Sequence, residues 1–323
     1  SSASLFDICH MGEFIIRGKS AEAVVDRLLT CRIDNLKTGI CRYAYMLSEN
    51  GTFIDDLLIY KMSDTEFMLV VNAARIEADA TWIKSHILPG SEFIDISNKT
   101  AKLDIQGPET ANILSPLLKI GLDTIRFFGF VHAELFGHKV LMSRTGYTGE
   151  LGYEIYSSND AVREIWDMLL EDERLKPAGL GCRDTLRLEM GFSLFGSDIS
   201  IDTTPVDAGL MARVFMEKDF IGKPALLNAD KIDSPEKRLG GIRLDGRQAA
   251  RQGSLILVED TPVGSITSGS FAPSLGCAIA LGYMPAKIAE PGNAVKIQSG
   301  NKILTGVTET PPFYKEATGR IKL

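Results

Sequence analysis

The sequence predicts an α+β protein of three lobes: two ferredoxin-like α/β units followed by a small β-barrel-like lobe. Three observations lead there. A chain of 323 residues is too long for one small core. Through the first two thirds, strand patterns interleave with helical spacings in an order that recurs. After Asp219 the texture changes to short apolar runs broken by Gly and Pro, the pattern of a small barrel or sandwich.

The elements follow in order. Gly12–Gly18 alternates as a short strand closed by glycine, and Ser20 is placed to cap a helix carrying Ala21, Val24, Val25, Leu28 and Leu29 at helical spacing. Arg42–Leu47 and Phe53–Tyr60 form a hairpin around Glu49-Asn50-Gly51. Phe67–Val71 is a strand, Ile76–His86 a helix and Phe93–Ile96 a strand. A similar order restarts at Ala101, with strands at Lys102–Ile105, His138–Ser143 and Tyr153–Tyr156 and helices at Thr110–Leu118 and Ala161–Leu170. The expected divisions are 1–95, a first unit that starts inside its own pattern, then 96–218 and 219–323, with Asp230–Lys237 as linker. Strands of the last lobe fall at Gly241–Leu244, Ser254–Val258, Val263–Thr267, Ala278–Tyr283 and Ala294–Ile297.

Composition removes several function classes. A net charge of −7 lacks the basic footprint a general nucleic-acid binder needs. No apolar run approaches the roughly 18 residues of a membrane span, and the first residues lack the regions of a secretory signal. Cys9, Cys31, Cys41, Cys182 and Cys277 are scattered and form no C-x-x-C pair, as expected in a reducing compartment. A bacterial cytoplasm is the expected home, or the mitochondrial matrix in a eukaryote. His10, His86, His132 and His138 are too dispersed for a metal motif, so no metal is expected. P-loop, dinucleotide and nucleophile-elbow motifs are missing as well.

Four segments remain as candidate chemistry. Asp55-Asp56 lies in an otherwise apolar strand, so alternation sets Asp55 with Phe53, Leu57 and Ile59, and Asp56 with Ile54, Leu58 and Tyr60. Both faces are apolar, and a carboxylate there is partly desolvated unless paired or used; an aspartate bonded to turn backbone is the plain alternative. Arg144–Glu154 carries glycines that permit close ligand approach and the tyrosines Tyr147 and Tyr153, although an ordinary hairpin loop has the same composition. Gly179–Glu189 reads as a glycine turn opening a helix, with Arg183 at the positive end of the dipole. Such an arginine calls for an anionic ligand or an acidic partner, for which Asp184 and Glu189 are available. Asn72 ends the strand at Val71 and suits either a ligand or the cap of the next helix, while His10 reads as structural.

Taken together, Phe6–Glu13, Asp55-Asp56, Leu69–Ala74, Gln106–Pro108, Arg144–Glu154, Gly179–Glu189, Lys218–Lys223 and Thr267–Pro273 occur in one order along the chain. In this they resemble the glycine-cleavage T-protein family of aminomethyltransferases. The resemblance implies three lobes around a central channel, tetrahydrofolate as co-substrate, and the lipoylated H-protein as partner, whose arm carries an aminomethyl group. Ammonia leaves and the carbon passes to the folate. The resemblance gives Asp56 the catalytic place, where a carboxylate can activate the folate nitrogen and stabilise an iminium-like carbon. Glu154 takes the place of the carboxylate that accepts the adjacent N–H groups of a pterin edge. Arg183 matches a folate contact, Met11, Tyr43, Tyr60, Asn72 and Tyr147 match pocket positions, and Arg320 matches a contact near the C-terminus.

The chain departs from the pattern in several places. The family's usual start lies a few dozen residues upstream, Cys9 replaces a usual serine, Phe127 a frequent tyrosine, Ala212 a common tryptophan and Phe215 a common lysine. Two other readings stand beside the first. One is a tetrahydrofolate-dependent demethylase of a small methylated amine or sulfonium compound, which needs no lipoyl partner. The other is a non-catalytic folate-binding factor of iron–sulfur maturation, whose cysteine motif is opposed by Phe220 within Lys218–Lys223.

Overall fold

The computed structural model describes residues 2–228 and 235–323; most of the linker read at Asp230–Lys237 lies outside the described residues. The strands are β1 (Ala3–Asp7), β2 (Gly12–Gly18), β3 (Cys41–Leu47), β4 (Phe53–Ser63), β5 (Glu66–Val71), β6 (Ser91–Asp95), β7 (Ala101–Gln106), β8 (Phe130–Leu135), β9 (His138–Ser143), β10 (Gly152–Ser157) and β11 (Leu175–Ala178). Six more, β12 (Lys237–Leu244), β13 (Leu255–Val258), β14 (Thr261–Ala272), β15 (Cys277–Pro285), β16 (Ala294–Ser299) and β17 (Lys302–Glu309), close into a barrel. The helices are α1 (Ala21–Leu28), α2 (Ile76–Ser85), α3 (Thr110–Leu114), α4 (Asn159–Leu169), α5 (Leu180–Glu189), α6 (Lys223–Asn228) and α7 (Ala286–Ala289).

The recurrence read in the sequence is a repeat of topology. The first sheet has the order β3-β4-β5-β2-β6 and the second β11-β1-β7-β10-β9-β8. If β7 stands for β2 and β8, β9, β10 and β11 for β3, β4, β5 and β6, the two orders coincide except that β1 enters the second sheet. It pairs antiparallel with β7 and parallel with β11. Residues 3–7, taken in sequence as part of the first unit, thus add a strand to the second sheet. The strands β1, β8, β11 and β17 went unread, because each is short, follows a loop, or alternates only weakly in polarity.

Each sheet covers its own helices with one face and meets the other sheet with the opposite face. Val24, Val25 and Leu28 of α1 and Ile83 of α2 pack with Ile16, Leu57, Ile59 and Leu69 of the first sheet. Val162, Ile165 and Leu169 of α4 do the same with Leu103, Ile105 and Ile155 of the second. Between the sheets lie Tyr60, Met68, Val70, Phe130, Leu141 and Tyr156. The layers are therefore helix, sheet, sheet, helix, and side chains on the inner faces of β4 and β10 confront one another.

Two local expectations are corrected. Ser20 makes no capping bond; its hydroxyl donates to the Pro89 carbonyl at 2.8 Å and ties α1 to the turn before β6. The alternation along β4 is interrupted by a bulge, since Met46 faces Asp55 while Leu47 faces Phe53 and Ile54 is the extra residue. Phe53 consequently lies on the Tyr45 and Asp56 side, with the Tyr45 and Phe53 rings 5.1 Å apart, and Ile54 joins the helix-side core. Asp55 points toward α2 and Asp56 toward the second sheet.

The helix α5 fastens the second sheet to the barrel. Arg187 and Asp198 are both buried and meet at 2.5 Å; Arg187 also donates to Ser268 of β14 at 2.8 Å, and Asp198 accepts from Thr267. Removing one partner of such a pair strands the other charge and costs about 3–5 kcal/mol. Arg187→Met is expected to lower the free energy of unfolding, measured by urea titration, by that order; a loss below about 1 kcal/mol would mean that Thr267 and the Leu194 amide satisfy Asp198 alone.

Candidate active site

Asp56 stands on the inner face of β4, half-buried. Tyr43 of β3 donates its hydroxyl to Asp56 Oδ2 at 2.7 Å, and Asn72 Nδ2 donates to Asp56 Oδ1 at 2.9 Å. Burial and then the neighbouring Asp55 charge push the Asp56 carboxyl up to about 7, a value suited to a group that both takes and gives a proton near neutrality. Asn72 does not cap a helix with its side chain. Its amide is turned back to Asp55 Oδ1 at 2.8 Å and to the Asp56 carbonyl at 2.9 Å, while its backbone N–H donates to Asp55 Oδ2 at 3.0 Å.

Glu154 stands on the inner face of β10, directly opposite Asp104 of β7. Thr145 donates to its Oε2 at 2.6 Å, with Tyr156 and Tyr60 at 3.2 and 3.4 Å, and Lys102 approaches Oε1 at 3.3 Å. Burial alone would raise this carboxyl, but Lys102, the Thr145 hydroxyl and Arg183 outweigh it and hold the group below its ordinary value. Glu154 is therefore a charged acceptor. Lys102 is wholly buried and its ammonium also meets Met11 Sδ at 3.2 Å and lies over the Tyr156 ring.

Tyr60 shares the inner face of β4 with Asp56 and reaches Glu154. It is four residues beyond Asp56 on the same face of β4, about 13 Å along the strand at roughly 3.3 Å per residue, and its hydroxyl reaches Glu154, Ser143 and Tyr156. A second link runs on the other side. Tyr147 feels the Asp56 charge, stacks on Phe192 with centroids 5.8 Å apart, and bears the Arg183 guanidinium over its face at 4.9 Å. Arg183 then pairs with Asp104 at 2.7 Å. Asp104 is buried, and that burial, offset by Arg183 and reinforced by the Glu154 charge, pushes its carboxyl up to about 7.

Of the residues singled out in sequence, Met11, Tyr43, Asp56, Tyr60, Asn72, Tyr147, Glu154 and Arg183 thus belong to one connected wall. Arg320 does not. It is exposed over the Phe127 ring at 5.6 Å, on a C-terminal segment held to the glycine loop by the bond from the Gly319 amide to the Gly149 carbonyl. The acidic partner of Arg183 is Asp104 rather than Asp184 or Glu189; Asp184 serves Arg187. Two of the loop glycines make room for a side chain of the protein itself. A Cβ on Gly146 or Gly152 would sit 2.2 or 2.1 Å from the Gln106 side chain, which bridges Asp104, the Thr145 carbonyl and Thr148. Sequence reading missed Lys102 and Asp104, although two ionisable residues alternating inside an apolar strand were a readable signal, and it took in Gln106 only within the stretch Gln106–Pro108. Ala212 is exposed and Phe215 lies under Arg32 at 5.2 Å. No His, Cys, Asp and Glu group of metal-binding geometry occurs among the described residues, and no helix among them is long and apolar enough to cross a membrane.

Comparison with known proteins agrees with this architecture. Residues 1–218 match the family model of the GCVT N-terminal domain, and 237–315 that of the glycine cleavage T-protein C-terminal barrel domain. An aminomethyltransferase of Halothermothrix orenii is 40% identical over 97% of this chain and 88% of its own length. One from Thermotoga petrophila is 39% identical over 99% and 88%. The crystal structure of glycine cleavage system aminomethyltransferase T from Bartonella henselae superposes with a TM-score of 0.91 at 32% identity, covering 98% of this chain and 88% of that one. With both domains matched and the barrel, sheets and connected wall in place, the chain belongs to the glycine cleavage T-protein family of aminomethyltransferases.

Proposed function

We propose that this protein transfers the methylene carbon of an aminomethyl group, carried on the lipoyl arm of an H-protein, to tetrahydrofolate: the bonds of that carbon to the amine nitrogen and to the lipoyl sulfur break, ammonia and the free lipoyl thiol leave, and two bonds to folate nitrogens form. The observation that carries the reading is the shared wall: two carboxylates remote in sequence, Asp56 and Glu154, stand on the inner faces of β4 and β10, with Tyr60 of β4 reaching Glu154 and Tyr147, Arg183 and Asp104 in contact with one another beside them. Its donor and acceptor chemistry fits a pterin. Glu154 is held charged, and among the described residues its Oε1 has only Lys102 as a donor, which leaves a lone pair for a ring N–H. Tyrosine faces suit a flat heterocycle.

In this reading Glu154 fixes the ring by its N–H edge, and Arg183 and Tyr147 set its plane. Tetrahydrofolate supplies the nitrogen that takes up the one-carbon unit. Asp56, held by Tyr43 and Asn72, is the group that receives the proton at Oδ1 or Oδ2 and presents negative charge to a developing cation. The wall is lined by aromatic and apolar side chains, among them Leu58, Met68 and Phe130, so that charge acts with little solvent screening.

The direct test is ammonia release from aminomethylated H-protein with and without tetrahydrofolate. Release that is strongly accelerated by the folate is expected. Failure to act on the loaded H-protein, together with folate-dependent consumption of a small methylated amine or sulfonium compound, would replace this reading by the demethylase one.

A further inference from the structure

Behind Asp56 lies a second, fully buried carboxyl pair that the transfer chemistry has not used. Asp79, in the first turn of α2, has no solvent exposure, and among the described residues neither of its carboxyl oxygens meets an N–H or hydroxyl donor. Its one cationic neighbour, Arg75, stands at 3.9 Å and spends its Nε–H on the Ile54 carbonyl at 2.9 Å while lying over the Phe195 ring. What Asp79 does meet is the carboxyl of Asp55, itself wholly buried. Two touching carboxyls without solvent cannot both be ionised, so one proton is shared.

The hydrogen bonds place that proton. Asp55 Oδ1 and Oδ2 each accept an N–H from Asn72, which marks Asp55 as the anion. Asp79, with no donor of its own to satisfy it, is the acid that donates to Asp55. Burial, followed by the Asp55 charge, holds the Asp79 carboxyl at about 10. The α2 dipole favours the opposite state, but by only about 0.3–1 kcal/mol, small against the desolvation of a second buried anion.

We propose that Asp79 is a positioning residue for Asp56: as the protonated member of the pair it fixes Asp55 as the anion that aims the Asn72 amide at Asp56. The proposal rests on Asp56 being the working carboxylate. The chain of contacts is Asp79 to Asp55, Asp55 to Asn72, and Asn72 Nδ2 to Asp56 Oδ1. The bulge at Ile54 and the end of β5 at Val71 hold its members in place. If the Asp79 donor is lost, Asp55 takes up the proton itself, releases its hold on Asn72, and no longer raises the Asp56 carboxyl. The other titratable or charged groups around Asp56 are Tyr43 and Tyr45 from β3, Tyr147 from the glycine loop, Arg75 before α2 and Arg213 over the Tyr43 ring. None of them replaces the missing donor.

The test compares Asp79→Asn, which keeps an N–H for Asp55, with Asp79→Leu, which does not. Asp79→Leu is expected to lower kcat roughly tenfold, the cost of loosened orientation, with KM for tetrahydrofolate little changed and the ionisation limb of the kcat profile moved to lower pH. Asp79→Asn should restore most of kcat and return the limb toward its original place. A lowered Tm in Asp79→Leu with unchanged kcat and pH profile would overturn the proposal. Infrared spectroscopy gives a readout independent of activity: a protonated-carboxyl band at about pH 9, where carboxyls held at about 7 are ionised and Asp79 at about 10 is not, that Asp79→Asn removes. Persistence of that band in Asp79→Asn would also overturn it. If instead Asp56→Asn were fully active while the band behaved as expected, the failure would lie with the role of Asp56 and not with the proton on Asp79.

Discussion

Asp56→Asn is expected to lower turnover by roughly 10²-fold or more, the scale of a lost acid–base group, while tetrahydrofolate affinity stays nearly constant. The amide keeps the shape of the carboxyl, and its oxygen still accepts the Asn72 N–H now given to Oδ1. What disappears is the ability to hold a proton and a negative charge at that point. In the native protein the dependent rate should rise with pH as Asp56 ionises near 7, and that limb should vanish in the variant. Stability provides a second readout with a definite sign. A carboxyl raised from 3.8 to about 7 in the fold binds its proton more tightly when folded, so it destabilises the fold progressively as pH climbs through that interval. Asp56→Asn should therefore be more stable than the native protein at pH 8, with the gain shrinking toward pH 4, as befits a site that trades stability for activity. Near-normal turnover in steady-state assays would end the catalytic assignment.

Glu154→Gln is expected to act mainly on binding, and to cost stability as well. The amide accepts fewer ring N–H bonds, each charged bond being worth about 1.5–3 kcal/mol, so calorimetry should find tetrahydrofolate bound at least tenfold more weakly. The substitution also leaves Lys102, wholly buried, without its charged partner at 3.3 Å. One substitute is Glu13, a buried carboxyl that burial raises to about 7 against the pull of Lys102. Glu13 should ionise more readily in the variant and absorb part of the loss, so unfolding should be easier but not abolished. Unchanged folate affinity in Glu154→Gln would put the ring elsewhere on the wall. Unchanged stability would mean that Glu13 alone satisfies the lysine.

Local features of the site were legible because they depend on short-range rules. A carboxylate pair in an apolar strand, a glycine loop with tyrosines, and an arginine at the wrong end of a helix each violate a local expectation, and such violations concentrate at functional sites. The partners of those residues were not legible. Asp104 neutralises Arg183 from 79 positions away, and Lys102 reaches Glu154 across a sheet register that no local pattern encodes. The bulge at Ile54 shows the same limit at short range. Strict alternation assigned Phe53 to the Asp55 face, and only pairing with β3 revealed the extra residue that moves it to the other.

By itself, then, the sequence determined the α+β class, the repeated order of elements and the barrel after Asp219, since hydrophobic period and turn chemistry are local properties of the chain; most residues of the wall were named by the family resemblance. Tertiary structure alone decided that β1 completes the second sheet, that the inner faces of β4 and β10 meet, and that Arg320 stands outside the wall. It also decided which carboxyls lose their water. Proton affinity inside a protein is set by what surrounds a group in space, and neighbours in space are chosen by folding rather than by position along the chain.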